Sequence, residues 1–481
     1  MNNYTYLFYD IESTGLNPCF DQVLQFAAIR TDTNLNELER YEFRFTLNSD
    51  IIPAPMAILT HQQPISSMLC SKNENEYTGL QKIHALFNTP NTITLGYNTL
   101  GFDDEFLRFS FYRNLLPPYT HQFKHNCYRM DIYPMTILYY LFKPDIIKWP
   151  SIDNRISLRL ENLNAENSLA KGMAHDAMVD VIATVELAKR FKKDDKMWQY
   201  CCGYFKKSTD LNRLSQLDTL ITINNHPYPL AYLLQGKLGS KNNYICPVLG
   251  LGTHSVYKNQ TLWLRLDQPL LDQTSSTNIE KNTYVMRKKT AENSLILPYL
   301  DRYQTHINPE RTNITINNIN WLSSNPQVFP DITEYHKNYT YPTTPDVDVD
   351  AALYQTPFAN YEQEKQLQAF HDAAPSNKLD AALQIHHNAY RELALRILSK
   401  HYPEHLTEEH LQEHQQHLQQ IYNTDEKTQS PKDYRNQHKL NALTALNEIA
   451  QIKKSKKLND NDNALLTELS NMITNKQNHL Q

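Results

Sequence analysis

The chain has 481 residues, more than one hydrophobic core usually organises, so two or three domains are expected. Its 47 Lys and Arg nearly balance its 52 Asp and Glu, the net charge is −5, and no uninterrupted apolar run is long enough to span a bilayer. These numbers exclude a membrane span and a uniformly basic polyanion coat, but they leave room for a local basic groove that holds phosphates.

The opening residues lack a basic stretch followed by a long apolar run, so no secretory signal is read and cytoplasmic residence is expected. Apolar alternation then predicts strands over residues 4–10, 23–29 and about 41–45. A helix near 79–87, a strand at 93–97, helices near 103–115 and 130–141, and a last helix over about 175–191 follow. Three successive strands and then strand-helix alternation imply an α/β unit over residues 1–195, a mixed sheet flanked by helices. Between residues 196 and 345 the texture becomes β-rich, with short alternating runs such as Thr261-Leu-Trp-Leu-Arg-Leu266 and Thr283-Tyr-Val-Met286. Tyr341-Pro-Thr-Thr-Pro-Asp-Val-Asp-Val-Asp350 has the composition of an extended linker. Residues 346–481 read as all-helical: Leu440, Leu443, Leu446, Ile449 and Ile452 recur at helical spacing, as do Leu411, Leu418 and Ile421. Asn and Gln enrichment near the C-terminus suggests a frayed or solvated end. Cys19, Cys70, Cys127, Cys201, Cys202 and Cys246 form no CxxC pair and are expected as reduced thiols.

Three motifs carry chemistry. Asp10-Ile11-Glu12 ends the first strand, where a period of two directs both carboxylates to one face and lets them share a hard cation. Alone, such a pair reads as a solvated strand end. Asn98-Thr-Leu-Gly-Phe102-Asp103 follows the strand at 93–97 and opens a helix, so Asp103 projects from a helix N-terminus, with Asp104 as its rival and an N-cap as its bland alternative. His175-Asp176-Ala-Met-Val-Asp180 opens the last helix of the unit: Asp176 suits the N-cap, and Asp180 lies one turn further in, where a carboxylate among apolar neighbours requires a partner such as a metal. His175 is placed to take a proton from an attacking water, although a lone histidine is usually a surface residue. Together, four acids and one histidine form the set that phosphodiester hydrolysis by two cations requires, and oxygen-rich clusters suit Mg²⁺, with Mn²⁺ as a substitute.

The order of these residues resembles the DEDDh 3′→5′ exonucleases, whose catalytic domain is ribonuclease H-like. The resemblance is closest to the exodeoxyribonuclease I family. It rests on Gln25-Phe-Ala-Ala-Ile-Arg-Thr-Asp32, Leu95-Gly-Tyr-Asn98, Phe111-Tyr-Arg-Asn114, Ser157-Leu-Arg-Leu-Glu161 and Ala174-His-Asp-Ala-Met178, and it is strong over about residues 4–192. It implies that Asp10, Glu12, Asp103 and Asp180 are the metal acids and His175 the base, and its Phe-Asp pattern selects Asp103 over Asp104. It further implies a β-rich SH3-like domain over 196–345, a helical domain over 346–481, and degradation of single-stranded DNA to 5′-mononucleotides in repair and recombination by a monomer. Beyond the catalytic unit the match is looser: Asn325-Pro-Gln-Val328 fits, while His306-Ile-Asn-Pro-Glu310 departs from the family's His-Ile-Asn-Lys.

Basic and aromatic residues interleave at Arg108, Tyr112, Arg113, Tyr119, Phe123 and Lys124. Tyr112 and Arg113 read as a buried aromatic face with a solvated cation. By resemblance, Arg108, Tyr119 and Phe123 lie along the DNA path, and Arg159 and Glu12 near its terminal nucleotide. The family also binds the acidic, hydrophobic C-terminal tail of single-stranded DNA-binding protein; Lys143 matches a basic position used there, and Lys206 and Lys207 add charge. An exoribonuclease of the same superfamily and a catalytically idle single-strand-binding scaffold are the alternative functions. His410-Leu-Gln-Glu-His414, with His417 nearby, mimics a zinc-protease motif without a third acidic ligand, and no zinc site is expected there.

Overall fold

The computed structural model describes residues 4–172, 175–425 and 429–480. Ala174, which begins one of the matched segments, and the first three residues of the opening stretch lie outside the described residues.

The first unit is built on a five-stranded mixed sheet of order β3-β2-β1-β4-β5. The strands are β1 (Thr5–Ser13), β2 (Val23–Thr31), β3 (Glu37–Arg44), β4 (Thr92–Leu95) and β5 (Tyr128–Arg129). β1 runs antiparallel to β2 and parallel to β4. Helices α1 (Pro55–His61), α2 (Ile65–Met68), α3 (Glu76–Phe87), α4 (Asp103–Arg113) and α5 (Ile132–Phe142) follow. A short hairpin of β6 (Ser151–Ile152) and β7 (Arg155–Ile156) comes next, then α6 (Leu160–Asn167) and α7 (Ala177–Lys192). Both faces of β1, β2 and β4 are covered, which is why these strands read as nearly continuous apolar runs, whereas the edge strand β3 is largely exposed. Tyr6 and Phe8 pack with Val181, Val185 and Phe191 of α7 on one face. Leu7, Tyr9 and Ile11 pack with Phe87 of α3 and Phe106 of α4 on the other. The expected elements of this unit are all present.

The middle region is a six-stranded antiparallel sheet, β12-β11-β10-β9-β13 with β8 paired to β9, reached through α8 (Asp195–Cys202) and α9 (Lys207–Ser215). Its strands are β8 (Thr219–Ile223), β9 (His226–Leu234), β10 (Ile245–Thr253), β11 (Gln260–Arg265), β12 (Val285–Lys289) and β13 (Leu295–Pro298). The short helices α10 (Ile279–Asn282) and α11 (Asp301–Gln304) punctuate it. Two longer helices, α12 (Pro309–Ser324) and α13 (Phe329–Asn338), add to what composition marked only as β-rich. The alternation Ile314-Thr-Ile316 imitates a strand. The helix is set instead by Asn308, whose side chain accepts from the Arg311 N–H, by Pro309 at its first position, and by the buried Arg311, Thr315, Asn318 and Leu322.

The proline- and acid-rich segment before residue 350 is not a free linker. Asp348 and Asp350 both pair with Arg396, at 2.6 and 3.0 Å. The C-terminal unit is helical: α14 (Tyr361–Asp372), α15 (Lys378–Leu383), α16 (Asn388–His401), α17 (Glu408–Tyr422), α18 (Ala442–Ser455) and α19 (Asp460–Leu480). Of the two expectations for the end, fraying is not seen, since α19 is helical to Leu480, while the polar residues after Ile473 are solvated. Leu465, Leu466, Leu469 and Ile473 of α19 are buried in one cluster with Ile58 of α1 and Ile65 and Met68 of α2. A buried Asp50, bonded to Lys400 and Lys439 at 3.1 Å each, ties the same two units together.

Candidate active site

Strand periodicity decides which face the first two acids take. Asp10 and Glu12 share the parity of Phe8, so they lie on the side of the sheet covered by α7. Asp103 arrives from the other side. After β4 the chain turns at Gly96, where a Cβ would collide with the Tyr9 carbonyl oxygen and the Thr99 side chain, and then passes through Asn98 at φ 64° into α4. Asp131 holds this turn by accepting N–H bonds from Asn98 (2.8 Å) and Leu100 (3.1 Å), and it also caps α5 through the Tyr133 N–H (2.9 Å). The Asp103 carboxylate in turn accepts from the Ile11 N–H at 3.3 Å, between the two strand acids.

The third motif behaves as its spacing implies. Asp176 caps α7 by accepting from the Met178 and Val179 N–H groups, and Arg44 pairs with it at 3.4 Å. His175, just outside the helix, is held at φ 62°, a left-handed conformation that is uncommon outside glycine, though histidine is among the side chains that adopt it more readily. Glu12, His175 and Asp180 each offer a ligand atom within 4.8 Å of the others, the only such group among the described residues.

The electrostatics of this cluster call for cations. Burial first, and then the neighbouring Asp103, Glu12 and Asp180, push the Asp10 carboxyl well above its ordinary range. Glu12 rises to about 9 through burial and the charges of Asp180 and Asp103. Burial raises Asp103 to about 7 against the Ile11 N–H bond, and Asp180 to about 6 against the opposing effect of His175. Four crowded acids that resist ionisation together are the donor set expected of a hard divalent cation.

Asp104, the rival on α4, has a different role. Its fully buried carboxylate is bonded by Arg108 (2.6 Å), Arg129 (2.5 Å) and His121 (3.2 Å). Burial would raise it, but Arg129 and Arg108 hold it well below the usual carboxylate range.

Asp10, His175 and Asp180 open into a cleft of ≈ 1030 Å³ lined by Tyr97, Asn98, Arg159, the hairpin at Ile152–Arg155, and Gly236, Ser240 and Tyr244 of the middle region. The hairpin turn at Asp153 and Asn154 carries a readable turn signal, whereas nothing in the sequence marks the middle-region residues as neighbours of the site. Arg159 is exposed at the start of α6. Phe123 is 70% exposed, and Tyr119 lies against Phe358 (5.7 Å between centroids) with the Arg108 guanidinium over its ring. Arg113 is not solvated: it is buried and donates to the carbonyls of Pro18, Cys19 and Asp21. Lys143 is engaged by Asp194 at 2.6 Å, while Lys206 and Lys207 are exposed before and at the start of α9. On α17, His410 bonds Thr407 and His414 lies 3.5 Å from Ser49.

Known proteins of this form agree. An exonuclease family model matches residues 7–188, and the exonuclease I C-terminal domain model matches residues 347–475. Exodeoxyribonuclease I of Escherichia coli (strain K12) is 32% identical over 378 residues, 74% of this chain and 77% of that protein. The Haemophilus influenzae exodeoxyribonuclease I is 38% identical over 204 residues, 42% of this chain and 43% of that protein. The structure of E. coli exonuclease I in complex with a 5cy-dT13 oligonucleotide superposes with a TM-score of 0.82 at 25% identity, covering 98% of this chain and all of the other. Sheet, cleft and matches together define an exonuclease with a ribonuclease H-like catalytic unit. Within that class, the chain belongs to the exodeoxyribonuclease I family.

Proposed function

We propose that the chain removes 5′-mononucleotides from the 3′ end of single-stranded DNA, in the cytoplasm, as a monomer serving DNA repair and recombination. The observation that carries this reading is the cluster in which Asp10, His175 and Asp180 line one cleft, Glu12 lies within ligand distance of His175 and Asp180, and the Asp103 carboxylate reaches the Ile11 N–H between the two strand acids. The four carboxylates would hold two divalent cations, Mg²⁺ or in its place Mn²⁺, which when bound polarise the phosphodiester and stabilise the leaving 3′ oxygen. His175 takes the proton of the water that attacks the terminal phosphorus; the bond from phosphorus to the 3′ oxygen breaks, and that oxygen is protonated as the nucleotide leaves. Arg159, exposed on the cleft wall, suits the terminal phosphate, and Glu12, within ligand distance of His175 and Asp180, would border the same nucleotide. Tyr119 and the exposed Phe123 offer stacking faces to following bases, with Arg108 backing the Tyr119 ring. Lys206 and Lys207, with Lys143 beside Asp194, offer positive charge to the acidic tail of single-stranded DNA-binding protein.

The test is shortening of 5′-labelled single strands with Mg²⁺ and with EDTA. Asp10→Ala and Asp180→Ala should abolish it with the fold intact, and His175→Ala should slow it roughly 10²–10⁴-fold while altering the acidic limb of the pH–rate profile. A variant lacking Asp180 that kept more than about a tenth of the rate would remove the acids from the mechanism.

A further inference from the structure

The arginine that neutralises Asp104 makes a second contact, outside the catalytic unit. Arg129, at the end of β5, donates through Nη1 to Asp104 and through Nη2 to Glu292, at 2.7 Å. Glu292 sits in the turn joining β12 and β13 of the middle region, so the pair crosses from one sheet to the other. The turn is itself anchored. Asp210 of α9 accepts from the Ala291 N–H (2.8 Å) and from Lys288 Nζ (2.7 Å), and both Lys288 and Asp210 are buried. From Asp210 to the first turn of α4 the contacts are therefore continuous: Asp210, the turn with Glu292, Arg129, Asp104. They end one residue from Asp103, whose carboxylate reaches the Ile11 N–H of β1.

The charges in this chain of contacts have a purpose that packing alone does not require. Asp104 adjoins a cluster of four acids, and an unneutralised Asp104 would repel them or compete for their cation. Arg108 and Arg129 cancel it, but two guanidiniums against one carboxylate would leave a buried positive charge beside the metal acids. Glu292 supplies the second negative charge, so the group Asp104, Arg108, Arg129 and Glu292 is neutral. Its members are nearly buried, with side-chain exposures of 0, 12, 11 and 18%, so their charges are weakly screened.

We propose that Arg129 and Glu292 are positioning residues of the active site, through which the middle region fixes the first turn of α4 and presents Asp103, and not Asp104, to the divalent cation. The inference rests on the functional reading above, because Asp103 is taken there as a metal acid. It gives the middle region a part in building the cation site in addition to lining the cleft.

The experiment uses the full-length protein without DNA. Calorimetric titration with Mn²⁺ should show affinity reduced roughly 3- to 10-fold in Glu292→Gln and about 10- to 100-fold in Arg129→Gln, the range for residues that orient metal ligands. Glu292→Asp, which keeps the charge, should recover most of the loss. The Mg²⁺ concentration for half-maximal shortening should rise in parallel, while single-strand binding in EDTA stays within about twofold of wild type. The double variant should bind Mn²⁺ no more weakly than Arg129→Gln alone, since Glu292 acts through Arg129. Wild-type Mn²⁺ affinity in Glu292→Gln, or a loss that Glu292→Asp fails to recover, would overturn the proposal. If Arg129→Gln does not fold, the two Glu292 variants decide the matter. Absence of Mg²⁺-dependent shortening by the wild type would instead reject the functional reading, and the calorimetric comparison would still judge the relay.

Discussion

At the scale of single residues, the site is organised by a conflict of like charges. Asp10, Glu12, Asp103 and Asp180 are crowded by a strand, a helix N-terminus and a helix wall, and none can ionise freely beside the others. This has a consequence for stability without metal. The folded Glu12 keeps its proton up to about pH 9, whereas the unfolded chain releases it near the ordinary glutamate value of about 4.3. Folding therefore takes up a proton across that window. The favourable contribution is complete below the unfolded pKa and is lost as pH rises through the folded one. In EDTA, wild-type stability should fall between about pH 5 and pH 9, and Glu12→Gln, which removes the charge, should melt about 2–4 °C higher than wild type at pH 8. With Mg²⁺ the order should reverse, because only the wild type gains the binding energy. Thermal melts of both proteins with and without metal test this; a Glu12→Gln protein less stable than wild type in EDTA would contradict the repulsion. Residue spacing made these acids legible, because strand and helix periods place them on known faces. Sequence pattern could not by itself choose between Asp103 and Asp104; what separates them is Arg108, one turn along the same helix, together with Arg129 and His121, which only the tertiary structure brings to Asp104.

At the scale of elements, what was readable depended on whether burial was local. The central strands and the helices of the catalytic unit announce themselves through apolar content, because both faces of β1, β2 and β4 are covered by the helices that follow. α12 did not: its Thr, Asn and Ile content imitates a strand, and its identity comes from its cap and from Arg311 donating to Asp267 and to the Ile245 carbonyl. α19 was obscured in a different way, since its polar composition hid a narrow stripe that packs onto α1 and α2, more than 390 positions earlier in the chain. Leu469 lies at the centre of that stripe and is fully buried. Leu469→Ala should cost about 2–5 kcal/mol in denaturant unfolding, as for other buried leucines. A loss within about 0.5 kcal/mol, as at an exposed site, would mean that the last helix is not docked in solution.

At the scale of the whole molecule, the three regions are not beads on a string. Tyr232, Leu234, Leu295 and Leu297 of the middle sheet share one cluster with Met135, Tyr139 and Trp198. Tyr77, Phe109 and Tyr112 of the catalytic unit share another with Phe370, Leu393 and Ile397. Shared cores of this kind hold the walls of a groove at fixed separation, which suits following a strand over several nucleotides better than a shallow proofreading pocket would. The sequence suggested three regions from changes of texture; it did not suggest that Gly236, Ser240 and Tyr244 would face His175 across one cleft, because nothing local encodes a contact between two sheets. The central claim, removal of nucleotides from the 3′ end of single-stranded DNA, is tested most directly by giving the protein matched DNA and RNA oligonucleotides in Mg²⁺, labelled at the 5′ end, with the 3′ end free or blocked. The account predicts stepwise shortening of the free-ended DNA, protection of the blocked DNA, and much slower attack on RNA; equal degradation of RNA and DNA, or no protection by the 3′ block, would contradict it.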